Sequence, residues 1–241
     1  MHSPLIRLAF SSLLVLALVA CVSELKPLPP LPEGAPASFP EDVYRRASVS
    51  GSVYTIDPRA SQFVIYVYRD GRLAKFGHDH VVASHDVRGF VLLADNLAGA
   101  RADLYFRVAT LSVDDADLRA SAGFTTELTA DDIETTRRRM LGTVLEAERH
   151  PYVQVHAVPM PGAPPRLTLN VELTLHGVTR AFQVPVEITV NDGNFSAQGE
   201  VDIRQTDFEI TPFSALNGAL GVKDQLHITF RLRGDRISST R

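Results

Sequence analysis

About nine β-like segments follow one another along most of this 241-residue chain, and this succession constrains the fold more than any other feature. Each segment is rich in β-branched or aromatic residues and is separated from the next by Gly, Pro, Asn or Asp. The predicted strands are 52–57, 63–69, 81–94, 102–113, 152–158, 167–175, 181–190, 195–203 and 225–232. The Asn-Asp-Gly-Asn sequence at 191–194 predicts a hairpin turn between two of them. Antiparallel strands at this spacing indicate a sandwich or a barrel.

The strand predicted at 167–175 alternates strictly between apolar and polar residues. Its apolar positions are Leu167, Leu169, Val171, Leu173 and Leu175, and Thr, Asn or Glu occupies the positions between them. This period of two predicts one buried face and one wet face. A closed or nearly closed sheet satisfies the pattern and hides the strand edges.

One stretch, 129–147, has a helical pattern instead. Thr129 with Asp132 three residues later is typical of a capping box, and the apolar residues that follow repeat with helical period. A shorter helical turn is predicted at 115–121, with Asp114 or Asp115 as its cap. The predicted fold class is therefore mainly β, with one or two inserted α-helices.

The N-terminus has the pattern of an export signal. Arg7 precedes an apolar run, 8–20, whose thirteen residues are too few to span a bilayer core of ~30 Å as a helix. The run ends in Leu-Val-Ala-Cys, which resembles a bacterial lipobox, and Cys21 is the single cysteine of the chain. We therefore expect residues 1–20 to be a lipoprotein signal peptide and Cys21 to be the lipidation site. A plain secretory signal cut near Ala20, or a buried free Cys21, is the alternative.

The residues after Cys21 are predicted to form a stalk. Six of the fifteen residues in 26–40 are Pro, which favours extended polyproline geometry over roughly 45 Å. The expected organisation is a lipidated, Pro-rich stalk at 21–50 and a barrel domain at 51–235. Val rather than Asp at position 22 resembles the sorting pattern for the outer membrane of a Gram-negative host. The expected location is thus the periplasmic side of the envelope, with the protein bound to the membrane through its lipid.

Composition and missing motifs exclude several function classes. The net charge is −4, and no Lys/Arg block is present to neutralise a phosphate backbone, so nucleic acid is not an expected partner. One cysteine forms neither an internal disulfide nor a Cys-based zinc knuckle. Phosphate-binding glycine loops, nucleophile elbows and zinc-protease helices are missing from the sequence, so enzymatic activity is not expected.

The strongest local candidate for chemistry is the Phe-Gly-His-Asp-His sequence at 76–80. In an extended strand His78 and His80 project to the same face about 6.6 Å apart, so they can share a divalent metal if another ligand joins them. His85 has the opposite parity and joins that face only through a bulge or turn. The alternative is a polar strand end whose imidazoles bond to the backbone and to carboxylates. His176, at a strand end before a glycine, is expected to be a hydrogen-bonding turn residue, or to complete the metal site.

The order of motifs resembles the YceI-like family of bacterial lipid-binding proteins. The most recognisable segment is LTLHGVTR at 173–180. Other similar segments are YTID at 54–57, VRGF at 87–90, the helix end at 140–145 followed by HPY at 150–152, QTDF at 205–208 and GVKD at 221–224. The resemblance covers about residues 52–233, nearly the whole predicted domain.

This resemblance implies a lipocalin-like antiparallel β-barrel whose apolar cavity holds a long polyisoprenoid or related amphiphile, and it implies no catalytic residues. The His-rich segment at 76–80, with His85 after it, departs from the single His of many members. Because the chain has no Trp and aromatic residues make up only 7% of it, we expect Phe, Leu, Ile and Val to line any cavity. The candidate ligand-binding residues are Phe63, Ile65, Phe90, Leu92 and Tyr105.

Three functions are consistent with these features. The first is a membrane-anchored periplasmic carrier that sequesters an isoprenoid, quinone or fatty acyl chain such as palmitate, gaining about 0.8 kcal/mol per buried CH₂. The second is a metal-binding or stress-related envelope protein that uses His78, His80 and His85. The third is a purely structural envelope lipoprotein. The sequence identifies no protein partner.

Overall fold

The computed structural model describes residues 27–28, 30–47, 52–94, 97–191 and 193–237, so the predicted signal peptide and Cys21 lie outside the described residues. The helices are α1 (Glu41–Ala47), α2 (Ala116–Ser121) and α3 (Ala130–Arg139), which continues as a π-helical turn, Met140–Val144. The strands are β1 (Ser52–Ile56), β2 (Gln62–Val67), β3 (Arg69–Asp70), β4 (His80–Ser84), β5 (Arg88–Leu93), β6 (Arg101–Arg107), β7 (Ser112–Val113), β8 (Tyr152–Pro159), β9 (Arg166–Leu175), β10 (Val178–Asn191), β11 (Asn194–Arg204), β12 (Ser214–Ala215), β13 (Leu220–Val222) and β14 (Gln225–Arg236).

Eight antiparallel strands close into a barrel in the order β1-β5-β6-β8-β9-β10-β11-β14, and β14 pairs back with β1. The long strand β14 pairs first with β2 and then with β1, so these two short strands act as one bent strand along it. β4 and β5 pair with β2 and β1 respectively and divide the single strand predicted at 81–94 in the same way. The predicted fold class, a lipocalin-like barrel with inserted helices, is confirmed.

The helix α3 begins as its sequence predicts. The Asp132 backbone N–H donates to Thr129 Oγ1, and the Thr129 backbone N–H donates to the Asp132 carboxylate, which completes the capping box. After the π-helical turn the chain reverses at Glu146, which has a positive φ of 43° and whose carbonyl oxygen accepts from the backbone N–H groups of Arg149 and His150. Asp115 caps α2, as predicted.

The expected stalk does not extend along residues 33–47, where the chain packs against the outer wall of the barrel. Tyr44 of α1 is only 1% exposed, and its ring stacks on Phe90 of β5. The Phe39 ring contacts Phe90 and Tyr105, with its centroid 4.9 Å from that of Tyr105. The Pro-rich composition does not predict this contact. Two aromatic side chains, Phe39 and Tyr44, suffice to hold the short segment on an apolar surface. Within the described residues, no helix has the length and apolar character needed to cross a bilayer.

Candidate ligand-binding cavity

The barrel encloses an internal cavity of about 460 Å³, within the range of roughly 300–1,000 Å³ typical of small-molecule sites. All five apolar positions of β9, from Leu167 to Leu175, lie on its wall, so the predicted alternation of that strand is confirmed. An eight-stranded barrel can be filled by its own side chains or can hold one ligand. Here small inward residues, Ala102, Ala157 and Ala197, leave the interior hollow.

One end of the cavity is formed by short elements rather than by barrel strands. Its lining residues come from β3, the short helical turn Ala74–Phe76, α3 and the β12–β13 hairpin, and they include Arg69, His78, Arg139 and Phe213. Phe76 is 71% exposed at this end. We call this end the mouth. The barrel wall is mostly apolar, with Arg101 of β6 as an exception, whereas the mouth carries several charged and polar groups.

Two polar groups at the mouth, the Arg139 guanidinium and the His78 imidazole, are available to bind a ligand. The Arg139 guanidinium lies over the Phe213 ring, 5.7 Å from its centroid. Across the described part of the chain, neither that guanidinium nor the His78 imidazole has a side-chain hydrogen bond or ion pair. Arg69, in contrast, donates to the Gly77 carbonyl oxygen at 2.9 Å. The mouth therefore offers one cation and one imidazole to a polar head group.

His80 is held by a buried carboxylate. Its Nδ1 lies 2.6 Å from Asp114 Oδ2, and Arg119 donates to Asp114 Oδ1 at 2.7 Å. The Asp114 side chain is fully buried, and burial alone would raise its pKa, but the hydrogen bonds from His80 and Arg119 hold the pKa below its usual value. Arg119 also donates to the Asp79 carbonyl oxygen. This network ties the His-rich segment to α2.

The structure brings together two of the three predicted metal-binding histidines. The rings of His78 and His80 lie 4.6 Å apart between centroids, as their shared parity predicts. His85 lies on the outer side of the sheet, with its Nε2 3.4 Å from the Gln62 amide nitrogen, because no bulge reverses its parity. Burial, and then the neighbouring His80, lowers the pKa of His78. Over the described residues, this pair does not belong to a group of three His or carboxylate ligands within 4.8 Å of one another.

Three of the five predicted ligand-binding residues line the cavity and two do not. Phe63, Ile65 and Leu92 lie on its wall. Phe90 and Tyr105 face outwards and are covered by Phe39 and α1, so their assignment to the lining is corrected. The sequence could not decide this point because β5 and β6 carry apolar residues on both faces, and alternation is then uninformative.

A buried polar cluster on the outer wall was not anticipated from the sequence. Asp103 of β6 is 6% exposed and accepts hydrogen bonds from the Tyr44 hydroxyl, from Arg101 at 2.8 Å and from His156 Nδ1 at 2.8 Å. Burial, and then the hydrogen bond to Asp103, raises the pKa of Tyr44. The only indication of this cluster in the sequence is Asp103 itself, a carboxylate between two apolar residues of β6. The cluster fastens α1 to the barrel.

Comparison with known proteins agrees with this architecture. Residues 54–233 match the family described as the YceI-like domain. The crystal structure of BcnA from Burkholderia cenocepacia is similar with a TM-score of 0.56 at 15% identity, over 74% of this chain and 98% of that one. A polyisoprenoid binding domain from Saccharophagus degradans, implicated in plant cell wall breakdown, is similar with a TM-score of 0.50 at 16% identity, over 76% of this chain and 98% of that one.

These two likenesses concern the fold, since both identities are low. No curated protein matches this chain in sequence. The family match extends from β1 to β14 and includes every strand of the barrel. The chain therefore belongs to the YceI-like domain family.

Proposed function

We propose that this protein is a binding protein, not an enzyme, that holds one amphiphilic lipid inside its barrel. The observation that carries the proposal is the hollow, almost entirely apolar interior of about 460 Å³. Family membership supports it, and so does the relative from Saccharophagus degradans, which is described as a polyisoprenoid binding domain. Binding is mainly hydrophobic, at about 0.8 kcal/mol per buried CH₂.

The cavity volume sets the length of chain that fits. At roughly 30 Å³ for a group the size of water, 460 Å³ accommodates about fifteen such groups. A fatty acyl chain of this length, or about three isoprene units, fills the space. A longer polyisoprenoid leaves its remainder in the mouth or in solvent.

The polar head of the lipid is assigned to the mouth. Arg139 supplies a cation and the neutral His78 imidazole supplies a donor or acceptor, and both border the apolar cavity. A carboxylate or phosphate head would receive a charge-assisted hydrogen bond from Arg139. An isoprenoid or fatty acyl ligand with an anionic head fits this arrangement better than a neutral hydrocarbon does.

Anchoring of the carrier to the membrane on the periplasmic side is also part of the proposal. It is supported by the lipobox-like sequence that ends at Cys21. The docked segment begins at Glu33, whose carbonyl oxygen accepts from the Tyr152 hydroxyl, so eleven residues, 22–32, separate the proposed lipid anchor from the barrel wall. Such a link spans at most about 40 Å. The barrel would then remain close to the membrane that supplies its ligand.

Native mass spectrometry of the full chain, purified without added lipid, tests the binding proposal. We expect a bound lipid mass that organic extraction removes. A fluorescent long-chain fatty acid then titrates the emptied protein, and Arg139→Gln should weaken its binding about ten- to a hundredfold, the effect of losing one hydrogen bond of ~1.5–3 kcal/mol to a charged group. Arg138→Gln is the matched control, because Arg138 pairs with Glu134 on the surface of the same helix. Failure of both the purified and the extracted protein to bind any lipid contradicts the proposal.

Cys21→Ser tests the anchor separately. We expect this variant to leave the membrane fraction or to remain unprocessed. Unchanged mass and unchanged membrane retention would contradict lipidation at this residue while leaving lipid binding by the barrel unaffected.

A further inference from the structure

A second group of potential ligands lies outside the cavity wall, where the chain leaves the α3 region and meets the β9–β10 turn. Glu146, His150 and His176 each offer one ligand atom, and these atoms all lie within 4.8 Å of one another. The rings of His150 and His176 are 4.5 Å apart between centroids. In the described ranges of the chain this is the only such group of three. None of its members lines the cavity.

The tautomer of His176 is set by its surroundings. Its Nδ1 lies 3.2 Å from the Phe208 carbonyl oxygen, and a carbonyl oxygen can only accept, so Nδ1 carries the proton. Nε2 is then left with a free lone pair. Among the described residues, this Nε2 is the one buried side-chain nitrogen or oxygen without a hydrogen-bond partner. A histidine whose other nitrogen donates to a backbone carbonyl is oriented as metal-ligating histidines are.

The backbone holds the other two residues close to the His176 ring. Glu146 and His150 belong to one tight turn, in which the His150 backbone N–H donates to the Glu146 carbonyl oxygen at 3.0 Å. The His150 ring packs directly on Gly177, which has a φ of +77°, and a Cβ at Gly177 would lie 2.8 Å from His150 Cε1. A side chain at position 177 would therefore displace the ring. The glycine that makes the β9–β10 turn also makes room for His150 beside His176.

We propose that Glu146, His150 and His176 form a binding site for a divalent transition metal, with Zn²⁺ as the best fit. Two imidazoles and one carboxylate are a donor set that Zn²⁺ accepts, with water in the fourth position. Arg149 bonds to Glu146 Oε2, and the second carboxylate oxygen stays available to a metal. A bound ion would supply the partner that His176 Nε2 lacks and would pin the end of the α3 region to the β9–β10 turn. The site is independent of the lipid cavity.

Titration of the full chain with Zn²⁺ alone, followed by native mass spectrometry, tests the proposal. All proteins carry Cys21→Ser so that a free thiol does not bind the metal. We expect one ion per chain and a rise in melting temperature on binding. Co²⁺ in place of Zn²⁺ should give the visible absorption of a tetrahedral site. His150→Ala and Glu146→Gln should each weaken binding at least tenfold.

Two control variants locate the ion. His227→Ala removes a half-exposed histidine that pairs with Asp202, and His78→Ala/His80→Ala removes the pair at the mouth. Both should bind as the parent protein does. No binding at all, unchanged binding in the folded His150→Ala or Glu146→Gln variant, or loss of binding in the double variant instead, would each overturn the assignment. Because the Glu146 side chain is also half-exposed, the Glu146→Gln variant provides the test if His150→Ala does not fold.

Discussion

The inner and outer faces of β5 and β6 both carry apolar residues, but only the outer face is covered by another part of the chain. On the inner face, Val91 and Leu104 border a cavity that no side chain of the barrel fills. On the outer face, Phe90 and Tyr105 are covered by residues 33–47 of the same chain. A hydrogen bond from the Tyr44 hydroxyl to Asp103 also holds this segment on the outer face.

The difference shows which apolar surface the protein covers with its own residues. An exposed apolar patch is normally covered by a partner or by the chain itself, and here the N-terminal segment reaches the outer wall and covers it. Among the residues that the structure describes, none fills the interior. The inner face therefore borders an empty cavity, whereas the outer face is covered by the chain itself. Four substitutions test this contrast, in order of decreasing effect on stability.

The largest effect is expected for Leu173→Asp, which places an unpaired carboxylate on the inner face. Burial of such a charge costs several kcal/mol, a large part of the ~5–15 kcal/mol stability of a domain. Chemical denaturation should show a protein that is largely unfolded. Asn170→Asp adds the same charge on the outward face of the same strand and should be almost neutral. Equal stability of the two variants would mean that β9 is oriented the other way.

Tyr44→Ala removes the main contact of α1 with the outer wall. Truncation of a buried aromatic ring costs about 3–5 kcal/mol, and here most of that loss should appear as release of residues 33–47 and only the remainder as destabilisation of the barrel. Hydrogen exchange should show lost protection in α1 and retained protection in β9 and β10. Uniform loss of protection across the barrel would contradict the view that the segment is a cover.

Tyr44→Phe keeps the ring and removes only the hydroxyl. Asp103 keeps its bonds to Arg101 and His156 but loses one donor, at an expected cost of about 1–3 kcal/mol. The fraction of α1 that is released, measured as above, should lie between those of wild type and Tyr44→Ala. A variant as stable as wild type would show that ring packing alone holds the segment.

Ala197→Phe should have the smallest effect on stability and a large effect on binding. Larger residues in a filled core cost ~1–3 kcal/mol, but this side chain points into the empty cavity, so we expect less than about 1 kcal/mol. Its ring occupies the space of the lipid chain, and fluorescent fatty acid binding should be lost. Ala181→Phe, at an exposed position of β10, is the control and should bind normally. Retained binding in Ala197→Phe would place the ligand elsewhere.

Features that depend on short stretches of sequence were predictable. The alternation of β9 identified all of its inward residues, and the Thr129–Asp132 pair identified the start of α3, because both patterns reflect the local geometry of one strand or one helix turn. The positions of His78 and His80 beside each other follow from the same local rule.

Features that depend on residues far apart were not predictable. Phe90 and Tyr105 were assigned to the cavity, and residues 33–47 to a free stalk, although they cover each other. The prediction that His176 is a turn residue is confirmed by its position. The sequence around His176 does not indicate, however, that His150 lies beside it. In each case the partner comes from another element, and only the packing of the elements identifies it.

The sequence by itself determined the succession of strands, the hairpin turn, the inserted helices and membership of the YceI-like domain family. Only the tertiary structure decided that the barrel is hollow, which face of β5 and β6 is covered, and that Glu146 and His150 meet His176. The reason is physical: the period of a strand or helix is set by neighbouring residues. The volume inside a closed sheet and the distances between side chains are set by pairings such as β14 with β1, which join opposite ends of the chain.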